Sequence, residues 1–237
     1  MTWTGGFGRA CGWLLDKIVH GLALTRISPN FLTFIGLVIN IVAAFFFGHA
    51  SAVNAGRYFF YGGLVIIGAG LFDMVDGRVA RRTNQVTVFG AFFDSVIDRY
   101  SDVVLFFGIL VFYARSNHLR YVVLTAFVMV TSLMVSYTRA RAEALIGQCK
   151  VGFMERPERI VLIILGALFQ WAGVMAPVLW VLAVLSTITV VHRIQYTYWN
   201  TKHLSPASEE STAQAAPVLA EPAREAVLAR EKAELPG

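Results

Sequence analysis

Acidic residues recur at helical spacing within one apolar region of the sequence. Asp73 and Asp76 are three residues apart, and Asp94 and Asp98 are four apart, so on helices the members of each pair would share a face. The polar connection between the two pairs, RRTNQVTV, is short. We therefore expect two neighbouring antiparallel helices that bring four carboxylates together at one end.

Carboxylates gathered in apolar surroundings would repel one another or take up protons. Bound divalent cations resolve this, and a set of oxygen ligands alone favours Mg²⁺ or Mn²⁺ over zinc. Gly77 and Gly90 would leave backbone exposed beside the carboxylates, and Arg81 is placed to meet a phosphate. Pairing of the aspartates with nearby arginines is the less favourable interpretation, because buried ion pairs rarely offset their desolvation.

The composition predicts the surroundings of this cluster. The chain is 57% hydrophobic and 15% charged, with a mean hydropathy of +0.62, which is typical of a membrane protein. We predict an all-α polytopic membrane protein with six transmembrane helices. They cover approximately residues 30–48, 58 into VARR, 90–113, 119–142, a segment starting at ERPER, and 177–198.

The segments on either side of these helices have a different character. Residues 1–28 carry apolar positions on one helical face and predict an interfacial amphipathic helix. Residues 29–202 form the predicted membrane domain, and residues 203–237, rich in Ala, Glu, Pro and Ser, predict a disordered tail. Basic residues concentrate in one set of connections, which predicts cytoplasmic termini and a cytoplasmic acidic cluster. We attribute the net charge of +5 to contact with anionic lipid rather than nucleic acid.

The aspartates belong to a longer pattern. The sequence reads Asp73-x-x-Asp76-Gly77-x-x-Ala80-Arg81, then eight residues, then Gly90-x-x-x-Asp94-x-x-x-Asp98. This pattern resembles the signature of the CDP-alcohol phosphotransferase family at all of its fixed positions. The resemblance extends over about residues 10–200 and implies an enzyme of the bacterial plasma membrane that acts as a homodimer.

The resemblance also implies roles for individual residues. Two divalent ions, Mg²⁺ or Mn²⁺, would be held by Asp73, Asp76 and Asp94, with Asp98 as a further ligand and the general base. CDP-diacylglycerol would be the donor, and CMP the leaving product. The implied donor-binding residues are Asn30, Phe31, Leu32, Thr33, Gly77, Ala80, Arg81, Thr87 and Gly90.

A second group of residues concerns the acceptor. Arginines gather in VSYTRARAEALIGQCKVGFMERPERIV and near the end of the last span, and guanidinium groups suit bidentate phosphate binding. We therefore expect a phosphorylated polyol as acceptor, although topology and lipid contact would also explain part of this charge. The resemblance implies Ser136, Arg139, Arg159 and Arg193 as acceptor-phosphate residues, with Arg141 and Arg156 nearby.

Within the family, SYTRARAE and ERPER are similar to bacterial phosphatidylinositol phosphate synthases, which implies inositol phosphate as acceptor. Those enzymes carry lysine where this chain has Arg139, so glycerol 3-phosphate, the acceptor of phosphatidylglycerophosphate synthases, stays an alternative. A cation transporter is the alternative from another class. It is disfavoured because the acidic residues cluster at one membrane face. A catalytically silent lipid-binding relative is disfavoured because all motif carboxylates are intact.

Overall fold

The computed structural model describes residues 29–82 and 87–202, without the side chains of residues 29 and 74–82. The described residues form six α-helices, one 3-10 turn and no strand, which confirms the predicted all-α class. The predicted amphipathic helix at 1–28 and the tail at 203–237 lie outside the described residues. The helices are α1 Pro29–His49, α2 Ala55–Arg82, α3 Val88–Arg115, α4 Leu119–Ile146, α5 Arg156–Leu168 and α6 Met175–Thr201, and the 3-10 turn is Gln170–Ala172.

Consecutive helices alternate in direction. Asn30 at the start of α1 lies close to Gly90 at the start of α3, and the ends of these two helices also meet, at Ala44 and Gly108. Helix α2 runs the opposite way between them, with Phe47 of α1 stacked on Phe59 at a ring distance of 4.7 Å. The starts of α1, α3 and α5 therefore lie at one end of the bundle, together with the ends of α2, α4 and α6.

The apolar core fills the half of the bundle remote from the motif aspartates. It is built from buried aromatic and aliphatic side chains of the central helices, such as Phe59, Phe106, Ile109 and Leu179, each at most 1% exposed. Phe59 also meets Phe112 edge to face at 4.8 Å. Rigid packing at this end holds the helices in place, so polar side chains at the other end have defined positions.

Within residues 29–82 and 87–202, four helical segments are long and apolar enough to cross a bilayer: Asn30–His49, Ala55–Asp73, Leu119–Ile146 and Met175–Thr201. Helix α3 does not qualify, because its first half carries several charged residues. Helix α5 has 13 residues, about 20 Å at the usual rise per residue, whereas a bilayer core is about 30 Å thick. All six predicted helices are present, but six transmembrane spans stay a prediction.

Replacement of Gly108 by alanine is expected to destabilise the contact between α1 and α3. A Cβ at position 108 would lie 2.5 Å from the carbonyl oxygen of Ala44 and 2.8 Å from its Cα. Backbone atoms cannot rotate away, so the helices must separate, at a cost of about 1–3 kcal/mol. Thermal unfolding of the detergent-purified protein measures this loss.

The matched control is Gly68→Ala on α2, where no atom lies within 4 Å of the added methyl group. This variant should be neutral or slightly stabilising, because alanine favours helix more than glycine does. Equal stability of the two alanine variants would contradict the proposed close approach of the helices.

Candidate active site

Two motif aspartates from different helices meet at one arginine. The Nη1 atom of Arg156 donates a hydrogen bond to Oδ2 of Asp73 at 3.2 Å and lies 2.9 Å from Oδ1 of Asp98. Asp73 belongs to α2, Asp98 to α3, and Arg156 is the first residue of α5. The carboxylates of α2 and α3 thus lie together, as the expected pairing of these helices predicts. The arginine of α5 between them was not predicted at this point.

The other two motif aspartates lie beside this point. Asp94 is one helical turn before Asp98 on α3, and its charge interacts with those of Asp73 and Arg156. Asp76 belongs to α2, but its side chain is among those that the structure does not describe. Gly36 of α1 faces Asp73: a Cβ there would lie 2.8 Å from Oδ1 of the carboxylate. Because Gly36 has no Cβ, there is room for the Asp73 carboxylate beside α1.

The donor set fits a divalent cation. Among the side chains that the structure describes, no three His, Cys, Asp or Glu residues are arranged as a metal-binding group. However, oxygens of Asp73 and Asp98 already converge on one positively charged atom, with Asp94 alongside. Carboxylate oxygens are the ligands that Mg²⁺ and Mn²⁺ prefer. The predicted all-oxygen site is chemically consistent with this convergence.

A second ion pair lies behind the first. Asp102, which is 4% exposed, accepts a hydrogen bond at 2.6 Å from Nη2 of Arg159, a side chain that is 1% exposed. Its other oxygen is 3.6 Å from Nε of Arg156. The sequence analysis did not select Asp102. The signal was available, because Asp102 follows Asp98 by four residues, on the same helical face, in apolar sequence.

A cavity of about 370 Å³ connects Asp98 to the predicted acceptor residues. It is lined by Ser95, Asp98, Arg99, Asp102, Val135, Ser136, Arg139, Ala140, Glu143, Glu155, Arg156, Pro157, Arg159 and Arg193. Every predicted acceptor residue except Arg141 is in this lining, and Arg141 is exposed to solvent. The fold thus gathers residues that are far apart in sequence around one polar space.

Two glutamates, which the sequence analysis did not select, neutralise part of this positive charge. Glu155 accepts a hydrogen bond at 2.9 Å from Nη1 of Arg139 and lies 3.5 Å from Nη2 of Arg193. Glu143 accepts from Nε of Arg139 at 2.9 Å. Glu155 directly precedes α5 within the ERPER segment, so its acidic side chain beside two arginines was the available signal.

Arg193 has a largely structural set of contacts. Its side chain is 1% exposed, and Nε and Nη1 donate to the backbone carbonyls of Val151 at 2.8 Å and Val135 at 2.6 Å. It thereby ties α6 to α4 and to the connection before α5. Its predicted contact with an acceptor phosphate stays a prediction.

The predicted donor-binding residues are partly assembled. Asn30 and Thr87 both lie against Gly90, where an added Cβ would be 3.2 Å and 3.0 Å from their side-chain oxygens. Thr87 caps α3 by accepting a hydrogen bond from the Gly90 amide at 2.9 Å, the usual role of threonine at this position. Leu32 and Thr33 are buried, and Phe31 is 54% exposed. The side chains at 77, 80 and 81 are outside the described set.

Comparison with known proteins assigns this arrangement to a family. The family model described as CDP-alcohol phosphatidyltransferase matches residues 26–191. The chain belongs to that family. It is 38% identical over 182 residues to an archaetidylinositol phosphate synthase of Pyrococcus horikoshii, covering 76% of this chain and 88% of the relative. It is 35% identical over 195 residues to a phosphatidylinositol phosphate synthase of Mycobacterium tuberculosis, covering 78% and 86%.

Solved structures of related proteins support the same family assignment. The chain resembles the Mycobacterium tuberculosis phosphatidylinositol phosphate synthase with CDP-DAG bound, at a TM-score of 0.69 and 33% identity, over 78% of this chain and 93% of that one. A structure of the same synthase with manganese and citrate matches at a TM-score of 0.70 and 34% identity, covering 78% and 88%. The predicted family and the prediction of a phospholipid-biosynthesis transferase are confirmed, and the apolar helices indicate an integral membrane protein.

Replacement of Arg156 by glutamine is expected to make stability depend more strongly on divalent metal. Without the guanidinium, Asp73 and Asp98 repel each other, so in chelator the folded state should lose about 1–3 kcal/mol. Added Mn²⁺ should restore more stability to this variant than to the wild type, because in the variant Mn²⁺ does not compete with the Arg156 guanidinium for the carboxylates. Thermal unfolding in EDTA and in Mn²⁺ measures both effects.

The matched control is Arg139→Gln, which removes a guanidinium whose partners are glutamates. Its response to Mn²⁺ should equal that of the wild type. An unchanged response in the Arg156 variant would mean that Mn²⁺ binds away from the point where the two aspartates meet.

Proposed function

We propose that the protein transfers the phosphatidyl group of CDP-diacylglycerol to inositol phosphate, which releases CMP and yields phosphatidylinositol phosphate. The observation that carries this proposal is the shared cavity: Asp98 lines it together with Ser136, Arg139, Arg159 and Arg193. A carboxylate able to accept a proton and cations able to hold a phosphate thus face one space. Its volume of about 370 Å³ is within the usual range for small-molecule sites.

The reaction forms one phosphorus–oxygen bond and breaks another. An acceptor hydroxyl in the cavity loses its proton to Asp98 as its oxygen attacks the phosphorus that carries diacylglycerol. The bond from that phosphorus to the bridging oxygen of the diphosphate breaks, and CMP leaves. A carboxylate beside the attacking hydroxyl is suited to this role of general base. The arginines hold the acceptor's phosphate and so orient its hydroxyl group towards Asp98.

The metal proposal assigns two divalent ions, Mg²⁺ or Mn²⁺, to Asp73, Asp76, Asp94 and Asp98. When bound, such ions neutralise negative charge on the diphosphate and on the attacking and leaving oxygens. Support comes from the convergence of Asp73 and Asp98 on one cationic atom. The relative that was solved with manganese agrees with the choice of cation.

The donor proposal assigns the cytidine diphosphate moiety to the start of α1, the end of α2 and the start of α3. The residues are Asn30, Phe31, Leu32, Thr33, Gly77, Ala80, Arg81, Thr87 and Gly90. Support comes from the close approach of Asn30, Thr87 and Gly90 and from the related synthase solved with CDP-DAG. Helix starts also carry free amides and a positive dipole end, which favour anionic ligands.

The choice of acceptor follows from the relatives together with the charge of the cavity. Relatives are named as synthases of phosphatidylinositol phosphate or archaetidylinositol phosphate. Arg139, Arg156, Arg159 and Arg193 line the cavity beside four carboxylates. Arg159 still has two nitrogens without a hydrogen-bond partner among the described residues, and an acceptor phosphate would supply one. Glycerol 3-phosphate and cation transport are not favoured by these relatives.

The topological proposal retains six spans in a membrane domain of residues 29–202, with residues 1–28 in the interface and residues 203–237 as a cytoplasmic tail. Termini and active site would face the cytoplasm of a bacterial cell, in a homodimer. Basic residues at the active-site end support this orientation. Helix α5 would span only together with the 3-10 turn and flanking residues that follow it.

The test of function is release of CMP from CDP-diacylglycerol by the purified full-length protein with Mg²⁺ or Mn²⁺. Parallel reactions contain inositol phosphate, glycerol 3-phosphate or free inositol. Turnover is expected with inositol phosphate, and little with free inositol, because the arginine-lined cavity would lack its anionic partner. A preference for glycerol 3-phosphate would overturn the acceptor assignment, and no turnover with any phosphorylated polyol would overturn the transferase.

Replacement of Asp98 by asparagine is expected to lower kcat by about 100-fold or more, the usual contribution of a positioned general base. Binding of CDP-diacylglycerol should change little, because the amide has nearly the same size and the other ligands remain. Single-turnover kinetics and equilibrium binding of the donor separate the two effects. Normal turnover in this variant would show that another group takes the proton.

A further inference from the structure

Asp102 lies outside the family signature yet is the most deeply buried carboxylate of the described active-site end. Its side chain is 5% exposed, against 25% for Asp98 and 30% for Asp73. It follows Asp98 by one further helical turn on α3. Burial of a charged group costs desolvation free energy whether or not the group has a function. A buried ionisable residue is therefore a candidate for a functional role.

Both carboxylate oxygens of Asp102 face guanidinium groups. Oδ2 accepts the 2.6 Å hydrogen bond from Nη2 of Arg159, and Oδ1 lies 3.6 Å from Nε of Arg156. Oδ1 itself has no hydrogen-bond partner among the described residues. Asp102 therefore lies between the two arginines of the ERPER segment, on the side remote from solvent.

Arg159 has donors to spare. Its side chain is 1% exposed and lines the cavity, and its Nε and Nη1 atoms have no hydrogen-bond partner within the described part of the chain. A guanidinium held at one nitrogen keeps its remaining N–H groups in a fixed plane. Because unpaired buried donors are unfavourable, these N–H groups, which have almost no solvent-accessible surface, would be stabilised by an anion that enters the cavity beside Arg159.

We propose that Asp102 is a positioning residue for the acceptor: it holds Arg159 so that the free N–H groups of the guanidinium bind the acceptor's phosphate. This inference rests on the proposed function and adds a residue to it. Asp102 acts through Arg159 and touches neither the reacting atoms nor the metal ions. Its carboxylate also supplies the countercharge that keeps Arg159 in the apolar interior.

Two other roles give different expectations. As a further metal ligand, continuing the row of Asp94 and Asp98, Asp102 would affect metal affinity. As a purely structural partner, it would affect stability and all kinetic constants together. A positioning residue affects the KM for the acceptor far more than it affects the KM for the donor or the affinity for metal.

The experiment compares Asp102→Asn, Arg159→Gln and the double variant in the full-length protein. The measurements are the KM for inositol phosphate, the KM for CDP-diacylglycerol and Mn²⁺ binding by titration calorimetry without substrates. Asp102→Asn should raise the acceptor KM by about tenfold or more, as expected when a buried charge loses its partner. The donor KM should stay within about twofold of the wild type. Mn²⁺ affinity should fall far less than acceptor affinity, because Asp102 reaches the proposed metal ligands only through Arg156.

The double variant tests whether Asp102 acts through Arg159. Its acceptor KM should equal that of Arg159→Gln alone, because the guanidinium through which Asp102 is proposed to act is then absent. Asp102→Glu should recover part of the acceptor affinity. If Asp102→Asn does not fold, the double variant removes the unpaired charge, and its comparison with Arg159→Gln gives the same answer.

The control is Arg115→Gln, which removes a charged side chain from the other end of α3, where it donates to the carbonyl of Gly48; it should match the wild type. A loss of Mn²⁺ affinity in Asp102→Asn as large as its loss of acceptor affinity, or an additive rise of acceptor KM in the double variant, would overturn the proposal. Absence of wild-type turnover with inositol phosphate would instead refute the proposed function.

Discussion

The electrostatic attraction between Arg156 and the aspartates around it is the interaction on which the active-site end depends. The guanidinium touches Asp73 and Asp98 and approaches Asp102, so one cation holds carboxylates of α2 and α3 that would otherwise repel one another. In a bundle that is apolar elsewhere, unpaired like charges would separate these helices or be neutralised by protons. The site can therefore be assembled before any metal is bound, and a divalent cation takes over a charge that the protein already supplies.

The same constraint explains the layered order of charge along α3. Asp94, Asp98 and Asp102 recur every four residues, from the exposed start of the helix to its buried middle. The outer two are the proposed metal ligands, whereas the inner one contacts Arg159. Arginines from α4, α5 and α6 then close the cavity on the other side. In the proposed mechanism, Asp98 takes part in both the metal site and the acceptor site.

Much of this was predictable without coordinates. The i, i+3 and i, i+4 spacing of the aspartates identified two helical faces, because the repeat of the α-helix is the same in every context. Long apolar runs identified all six helices, with ends within a few residues of those observed. Arg139, Arg156, Arg159 and Arg193 were selected because clustered guanidinium groups suit bidentate phosphate binding and because of the family resemblance. The length of the fifth helix was not foreseen, since its apolar sequence continues past Leu168 into a 3-10 turn.

The sequence by itself determined the chemistry, because residue types and helical spacing decide which side chains share a face and which ligands they suit. Only the tertiary structure decided the pairing of side chains that are distant in the chain. Arg159 meets Asp102 at a separation of 57 residues, and Arg193 meets Val135 at 58. It also distinguished Arg193, which donates to backbone carbonyls, from Arg159, whose Nε and Nη1 atoms have no hydrogen-bond partner among the described residues. Local spacing cannot show such differences, because they depend on how neighbouring helices pack and on which polar groups that packing leaves without a partner.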